Sequence, residues 1–454
     1  MSTIPTPPLP ARDAAGPVAE AERIVALDVV RGLAVLGILV MNVVEFGLPL
    51  TAYDNPAYAG GHRGADLATW FVQVVFFDGK MRALFSMLFG AGLVLLAERM
   101  TRRGQAAGVA DLLLRRCLWL VPFGVLHRFA LQWTGDILYQ YGLLGVVAVA
   151  FRNLRARTLI VLGLVALTAF VPIGLLQYGR SAKVRAQAAE AVRLEDAGEK
   201  VPEDLAAAKK RWDTRLASIP PKPEALQKEV DALRAGYPAV FAHRWDYHHT
   251  FQSAYLYYHF VWDVLGMFLV GMGLMKLGFF AGACRTGVYA AWIAAGGVAA
   301  AAVAAWAAAW TARDFSPGAI ELQLVRQTTY SFTRLVLALA WASALLLVVR
   351  AGRAPVLTGA LAAVGRMAFS NYVLQTVCCT LLFFGYGLGL HGRLSRSMLM
   401  GVMLGVSLVQ VCFSLVWLRR FRFGPLEWAW RSLTWWRVQP LRRSVSGPVA
   451  ADPA

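Results

Sequence analysis

The chain has 454 residues, 58% of them hydrophobic and only 16% charged, with a mean hydropathy of +0.52. A soluble domain is typically about 25% charged, so lipid is the expected solvent and an ordinary cytosolic enzyme is excluded. The 45 Lys and Arg against 27 Asp and Glu leave a formal charge of +18, yet the segment 180–246 holds 13 basic and 11 acidic residues. The surplus therefore sits in short segments flanking apolar runs, as membrane insertion requires, and not on a nucleic-acid-binding face.

Residues 1–22 are rich in Pro and Ala and lack the basic region and compact apolar core of a cleaved signal, which predicts a disordered tail. Long apolar stretches then predict ten spans, near 32–50, 82–97, 116–133, 137–152, 158–178, 255–275, 287–310, 334–349, 367–390 and 397–418. The second is the least regular, because the run Leu67–Phe77 before Asp78-Gly79-Lys80 also fits a re-entrant or interfacial helix. The predicted fold is an all-α polytopic membrane protein of about ten transmembrane helices with one extracytoplasmic helical loop. Its parts are an N-terminal bundle (23–178), the loop (179–254), a C-terminal bundle (255–418) and a basic, aromatic interfacial tail (419–454). Lys and Arg in alternate short loops place both termini in the cytoplasm and the loop outside. The loop is Ala-rich, mixed in charge and punctuated by proline, so it should form short solvated helices. A lid over a site is the sharper alternative. Gly90-Ala-Gly92-Leu93 and Gly271-Met-Gly273-Leu274 echo each other, a pattern that commonly serves close helix packing.

Chemistry-bearing residues are few. Asp28 and Arg31, three apart, share a helix face at the start of the first span and can pair or bind a phosphate. Asn42 and Glu45 repeat that spacing near its other end. His127 and Arg128 interrupt an apolar run and Asp136 follows. A neutral imidazole beside a carboxylate is poised to take a proton from a hydroxyl or amine, although a single membrane His also serves as an interhelical hydrogen-bond donor. His259 and Asp263 at i, i+4 form a second such pair, in a region that reads equally as an aromatic interfacial belt. Asn371 and Gln375 at i, i+4 suit a polar substrate or, the favoured reading, a neighbouring helix. Arg99, Arg102, Arg103, Arg115 and Arg116 ring one loop as phosphate contacts or as positive-inside charge. Glu427 and Arg431 should pair on an amphipathic tail helix. Cys117, Cys284, Cys378, Cys379 and Cys412 show no metal-ligand spacing and read as small hydrophobes, and no metal is expected. No Walker loop, HExxH or nucleotide-binding glycine pattern is present.

The opening Leu27-Asp28-x-x-Arg31-Gly32-x-Ala34 resembles the start of the transmembrane acyltransferase superfamily, which includes the bacterial acyltransferase-3 proteins and heparan-alpha-glucosaminide N-acetyltransferase. A closer resemblance is to the YeiB-like family of bacterial inner-membrane proteins, whose C-terminal part is the domain of unknown function 418. It rests on FSMLFGAG at 85–92, His127 with Gly135-Asp136-Ile137-Leu138, GRMAFSNYVLQT at 365–376 and RRFRFGPLEWAWRSLTWWR at 419–437. Where the acyltransferase-3 pattern has a His eleven residues after the first-span Arg, this chain has Asn42. The heparan enzyme also has Asn there and takes its His from further along, where position alone would select His62. The superfamily resemblance implies transfer of an acyl group from a cytosolic acyl-CoA to an extracytoplasmic glycan, lipid or small molecule. In that reading His127 is the base, Asp136 its orienting partner, and Arg31 and the nearby arginines contact the donor. Two further readings stay open. One is a carrier for a small polar solute that uses the same intramembrane His, Asp, Asn and Gln as a relay or binding site, among them His127, Asp136, His259, Asp263, Asn371 and Gln375; the other is a sensor or assembly scaffold. The bilayer is the expected partner, with a homodimer as a further expectation.

Overall fold

A computed structural model describes residues 24–218, 222–254 and 256–443; the expected tail 1–22 lies outside the described residues. Among the described residues the chain is helical, with a single isolated antiparallel bridge between Phe421 and Arg442. The first half comprises α1 (Val25–Gly47), α2 (Gly64–Val72), α3 (Lys80–Arg102), α4 (Val109–Leu118), α5 (Leu120–Phe129), α6 (Leu138–Ala150), α7 (Ala156–Leu167) and α8 (Phe170–Asp196). An arm follows, made of α9 (Glu203–Leu216), α10 (Pro223–Arg234) and α11 (Tyr237–Gln252). The second half comprises α12 (Val261–Lys276), α13 (Thr286–Thr311), α14 (Ile320–Arg350), α15 (Pro355–Arg366), α16 (Ala368–Phe383), α17 (Arg396–Arg420) and α18 (Pro425–Trp435).

Among the described residues the expected apolar runs fall largely on helix, but seven stretches, not ten, are long and apolar enough to cross a membrane by themselves. Proline explains two of the interruptions. Pro122 cannot donate to the turn before it and its ring crowds the carbonyl of Leu118, where α4 ends; Pro172 acts likewise on Thr168, between α7 and α8. The α6 and α16 helices are apolar but short, which a bundle tolerates when polar ends are sheltered by neighbours. The uncertain run before Asp78 is α2 followed by a π-helical turn at Gln73–Phe77, broken at Gly79, whose φ of 70° an L side chain rarely adopts.

α1 is the axis of the bundle: 78% of its apolar window is buried in protein, against 11% for the Ala-rich α13 at the periphery. Glycine sets the close approaches. A Cβ on Gly90 of α3 would stand 2.2 Å from the carbonyl oxygen of Phe268 on α12, and one on Gly271 of α12 would stand 2.0 Å from that of Met87. The first glycines of the two Gly-x-Gly-Leu sequences are thus the two sides of one helix contact, while Gly273 meets α7 at the Ala156 carbonyl and Gly92 stands in open space. Gly32 and Gly365 form another such contact where α1 crosses α15. The arm is not merely a solvated excursion. Tyr237 of α11 donates to the carbonyls of Phe129 and Ala130, and Arg234 of α10 donates to that of His391, so α10 and α11 seal the end of the bundle opposite Arg31.

Candidate functional site

A cavity of about 230 Å³ opens at the end of the bundle that carries Asp28 and Arg31. Arg31, Arg99, Arg103, Arg116, Arg366 and Arg431 line it, together with Phe85, Leu88, Phe89 and Leu120, and it reaches Leu138, Tyr141 and Tyr372. Arg31 and Asp28 form the expected pair at 2.9 Å. The arginine cluster read from sequence divides by helical phase. Arg99, Arg103 and Arg116 face the cavity, whereas Arg102 pairs with Glu98 and Arg115 with Asp111. α18 forms one wall. Its Trp430 lies under the Arg116 guanidinium at 3.8 Å and donates from Nε1 to the Arg116 carbonyl. Glu427 accepts from the backbone N–H groups of Phe369 and Ser370 and from the Ser370 hydroxyl, which caps the start of α16. Burial pushes that carboxyl above its ordinary range, against the lowering effect of those hydrogen bonds. The tail helix therefore docks through Glu427 onto α16, where the sequence had suggested only a local pair with Arg431.

Just past Tyr372 lies the expected pair. The loop 130–137 turns back through Gln132, which adopts a left-handed φ of 56°, and brings Asp136 beside His127. Nδ1–H of His127 donates to Asp136 Oδ1 at 2.8 Å, and the Asp136 carboxylate also accepts the N–H groups of Leu138 and Tyr139 at 3.1 Å, capping α6. With its proton fixed on Nδ1, the ring presents Nε2 as an acceptor, 2.8 Å from the Thr376 hydroxyl. The Tyr372 ring centroid is 5.0 Å from that of His127, and its hydroxyl donates to the Gly135 carbonyl while accepting from Trp133 Nε1. One tyrosine ring thus separates the cavity from the imidazole.

Beyond the imidazole is a cluster that the sequence did not reveal. Arg128 donates through Nη2 to the Asp136 carbonyl and lies over the Phe251 ring, while its Nε and Nη1 are buried without a hydrogen-bond partner. Arg244 of α11 donates to the Gln132 carbonyl, and His248 meets the Gln132 side chain. Both guanidiniums lie within electrostatic reach of the buried Glu45. The α11 sequence reads as an interfacial aromatic belt, and only the fold turns Arg244 and His248 inward.

The remaining expected residues scatter. Among the described residues, none of Asn42, Arg128, His259, Asp263, Asn371 and Gln375 lines the cavity. Asn42 is half-buried on α1. Asn371 donates to Val364 and Ser414, and Gln375 to Val35 and Gln410; both serve helix contacts with α1, α15 and α17. His62 packs edge-on against Phe315. His259 and Asp263 are not partners. A π-helical turn at Leu256–Phe260 precedes α12 and breaks the four-residue spacing, so His259 packs on Phe170 while Asp263 pairs with Arg82 and Arg334. Asp263 thus belongs to a partly buried ion-pair array, to which Arg326 adds bridges to Asp78 and to the exposed Asp54. The alternation of Asp78, Lys80 and Arg82 in an apolar setting was its sequence signal. Among the described residues no group of three or more His, Cys, Asp or Glu is arranged to hold a metal ion.

Fold and site define a polytopic helical membrane protein that encloses an arginine-lined cavity against a buried His–Asp pair. Residues 274–437 match the family described as protein of unknown function (DUF418). The chain is 32% identical over 431 residues to the uncharacterized protein YeiB of Escherichia coli (strain K12), covering 91% of this chain and 96% of that one. It is 29% identical over 447 residues to the uncharacterized protein YxaH of Bacillus subtilis (strain 168), covering 93% and 97%. No solved structure matches it. The chain belongs to the YeiB-like family.

Proposed function

We propose that the chain is an integral membrane acyltransferase of the bacterial inner membrane, with both termini cytoplasmic. It moves an acyl group, acetyl in the simplest case, from a cytosolic acyl-CoA to a hydroxyl or amine of an extracytoplasmic glycan, lipid or small molecule. The observation that carries the reading is the cavity: cationic at its mouth, apolar within, and ending one tyrosine ring short of His127 and Asp136. Guanidiniums at the mouth suit the phosphates of a nucleotide thioester, and an apolar interior suits its arm and acyl group. A thioester is already activated, so the protein needs only a path, a base and donors to the developing oxyanion. His127 is the base, held in the useful tautomer by Asp136. Purified protein supplied with labelled acetyl-CoA and candidate acceptors tests this; equal transfer by wild type and His127→Ala removes His127 from the mechanism.

The ion-pair array around Asp78, Asp263, Arg326 and Arg334 favours a second reading, a carrier for a small polar solute, since buried charges in a bundle often line ion or solute routes. Stabilisation of the detergent-solubilised protein by acyl-CoA, lost in Arg99→Gln/Arg103→Gln, separates the two, because a carrier has no reason to bind the thioester.

A further inference from the structure

We infer that Thr376 is the nucleophile of a Thr376–His127–Asp136 triad and that acyl transfer proceeds through an ester on its hydroxyl. This rests on the acyltransferase reading and deepens it.

The argument begins with what a helical threonine ordinarily does. Inside a helix its hydroxyl bonds back to the carbonyl one turn earlier, and the hydroxyls of Thr69, Thr101, Thr311, Thr328 and Thr434 do so here. Thr376 is directed elsewhere, onto His127 Nε2 at 2.8 Å, with Nδ1 of the same ring 2.8 Å from Asp136. Nucleophile to base and base to orienting carboxylate, both at hydrogen-bond distance, is the geometry by which an activated hydroxyl is recognised on any fold. All three groups are buried, with side chains of His127 and Asp136 at 1% and 0% exposure. The surroundings supply two more parts. Tyr372, which lines the cavity, precedes Thr376 by one turn on α16, so the end of the cavity and the hydroxyl are about 6 Å apart along the axis. Arg128 donates through Nη2 to the Asp136 carbonyl and keeps Nε and Nη1 buried without partners, which sets a positive charge beside the orienting carboxylate residue. The motif at 365–376 is then fully used: Ser370 takes Glu427, Asn371 and Gln375 hold helices, and Tyr372 and Thr376 face the chemistry.

The step balances without a further reactant. The Thr376 hydroxyl gives its proton to His127 Nε2 as its oxygen attacks the thioester carbonyl. The carbon–sulfur bond breaks, and the departing thiolate takes that proton to leave as the free thiol. An acceptor hydroxyl or amine then attacks the ester, its proton passing through His127 to the Thr376 oxygen.

Two measurements on the full-length, detergent-solubilised protein test it. Labelled acetyl-CoA without acceptor should release one thiol per protein and leave one acetyl group on the peptide containing Thr376. With acceptor, ping-pong kinetics are expected. Thr376→Ser should retain transfer, whereas Thr376→Val, which keeps the shape and removes the hydroxyl, should lose about 10²- to 10⁴-fold. Independently of the donor, a fluorophosphonate should label Thr376 in wild type and not in His127→Ala. Transfer at the wild-type rate by a folded Thr376→Val overturns the triad and leaves the acyltransferase reading intact. Fluorophosphonate labelling of Thr376 with no transfer from any acyl-CoA supports the triad and overturns the proposed donor.

Discussion

Asp136→Asn separates holding the fold from holding the base. The Asp136 carboxylate accepts three hydrogen bonds, from His127 Nδ1 and from the amides of Leu138 and Tyr139. Oδ1 takes the imidazole and the Leu138 amide while Oδ2 takes the Tyr139 amide, so an asparagine whose oxygen stays on Tyr139 turns its NH₂ toward both the Nδ1–H and the Leu138 N–H, and two donors cannot bond. The ring has one remedy: it moves its proton to Nε2 and accepts from the new amide with Nδ1. That tautomer donates to Thr376, so the ring is bonded on both sides again, but the Leu138 N–H loses its acceptor; with the charge-assisted part of the imidazole bond the loss is about 2–3 kcal/mol. The same shift removes the lone pair that takes the proton, so transfer should fall about 10³- to 10⁴-fold. Asp136→Ala forfeits the cap as well and leaves the amides and imidazole unpaired, so its cost should reach about 3–4 kcal/mol. Thermal unfolding in detergent and labelled acetyl transfer are measured on the same preparations. An Asn variant that transfers within a few-fold of wild type would falsify the base assignment, whatever its stability.

Gly271→Ala places a methyl 2.0 Å from the Met87 carbonyl oxygen, a backbone atom that cannot step aside, so about 1–3 kcal/mol should be lost in thermal unfolding; Gly297→Ala on α13, with open space around it, should be neutral or slightly stabilising. Arg99→Gln/Arg103→Gln should weaken acyl-CoA binding at least tenfold, read by calorimetry on the folded variant; unchanged affinity would remove the arginines at the mouth from donor recognition. His391, in the connection between α16 and α17, donates to the Phe46 carbonyl, and burial pushes its imidazole down from 6.5 to about 4. A lowered value means the unfolded chain binds the proton more readily. Its contribution, at most about 3 kcal/mol, is therefore complete above about pH 6.5 and lost as the pH falls through about 4. A melting curve in His391→Gln as steep over that range as in wild type would rule this out.

The apolar runs located the helices, because burial in lipid demands uninterrupted greasy sequence, and the two proline breaks are equally visible once Pro122 and Pro172 are weighed. His127 and Asp136 were legible as a pair because they are nine residues apart and both are costly in an apolar setting. The structure brings them together by a turn at Gln132 that no residue type announces. Thr376 closes the GRMAFSNYVLQT stretch, but its partner lies 249 positions away, and threonine is common enough in membrane helices to carry no signal alone. Sequence spacing pairs Asp263 with the wrong partner, since a spacing of four assumes an unbroken α-helix and the π-helical turn ahead of α12 removes that assumption. Glu427 illustrates the same limit: its reach to α16 depends on where a terminal helix docks. Local chemistry was readable; pairing across the bundle was not.

The proposed reaction also has a direction, which the position of the arginines makes testable. Asp28 and Glu45 are 17 residues apart on α1, about 25 Å of helix, which nearly matches a hydrocarbon core of about 30 Å. Along that length stand the arginines at the mouth, Tyr372, His127 with Thr376, and then Glu45 with Arg128 and Arg244, so the polar groups nearly cross the membrane beside one helix. A cytosolic donor demands that the arginine end face the cytoplasm and the arm face outward. In a functional background with the native cysteines replaced, cysteine at exposed Lys200 of the arm should react with an impermeant maleimide in intact cells, whereas cysteine at exposed Arg102 should react only after permeabilisation. The opposite pattern would put the cavity on the side where acyl-CoA does not occur and end the acyltransferase reading, even with every distance in the triad unchanged.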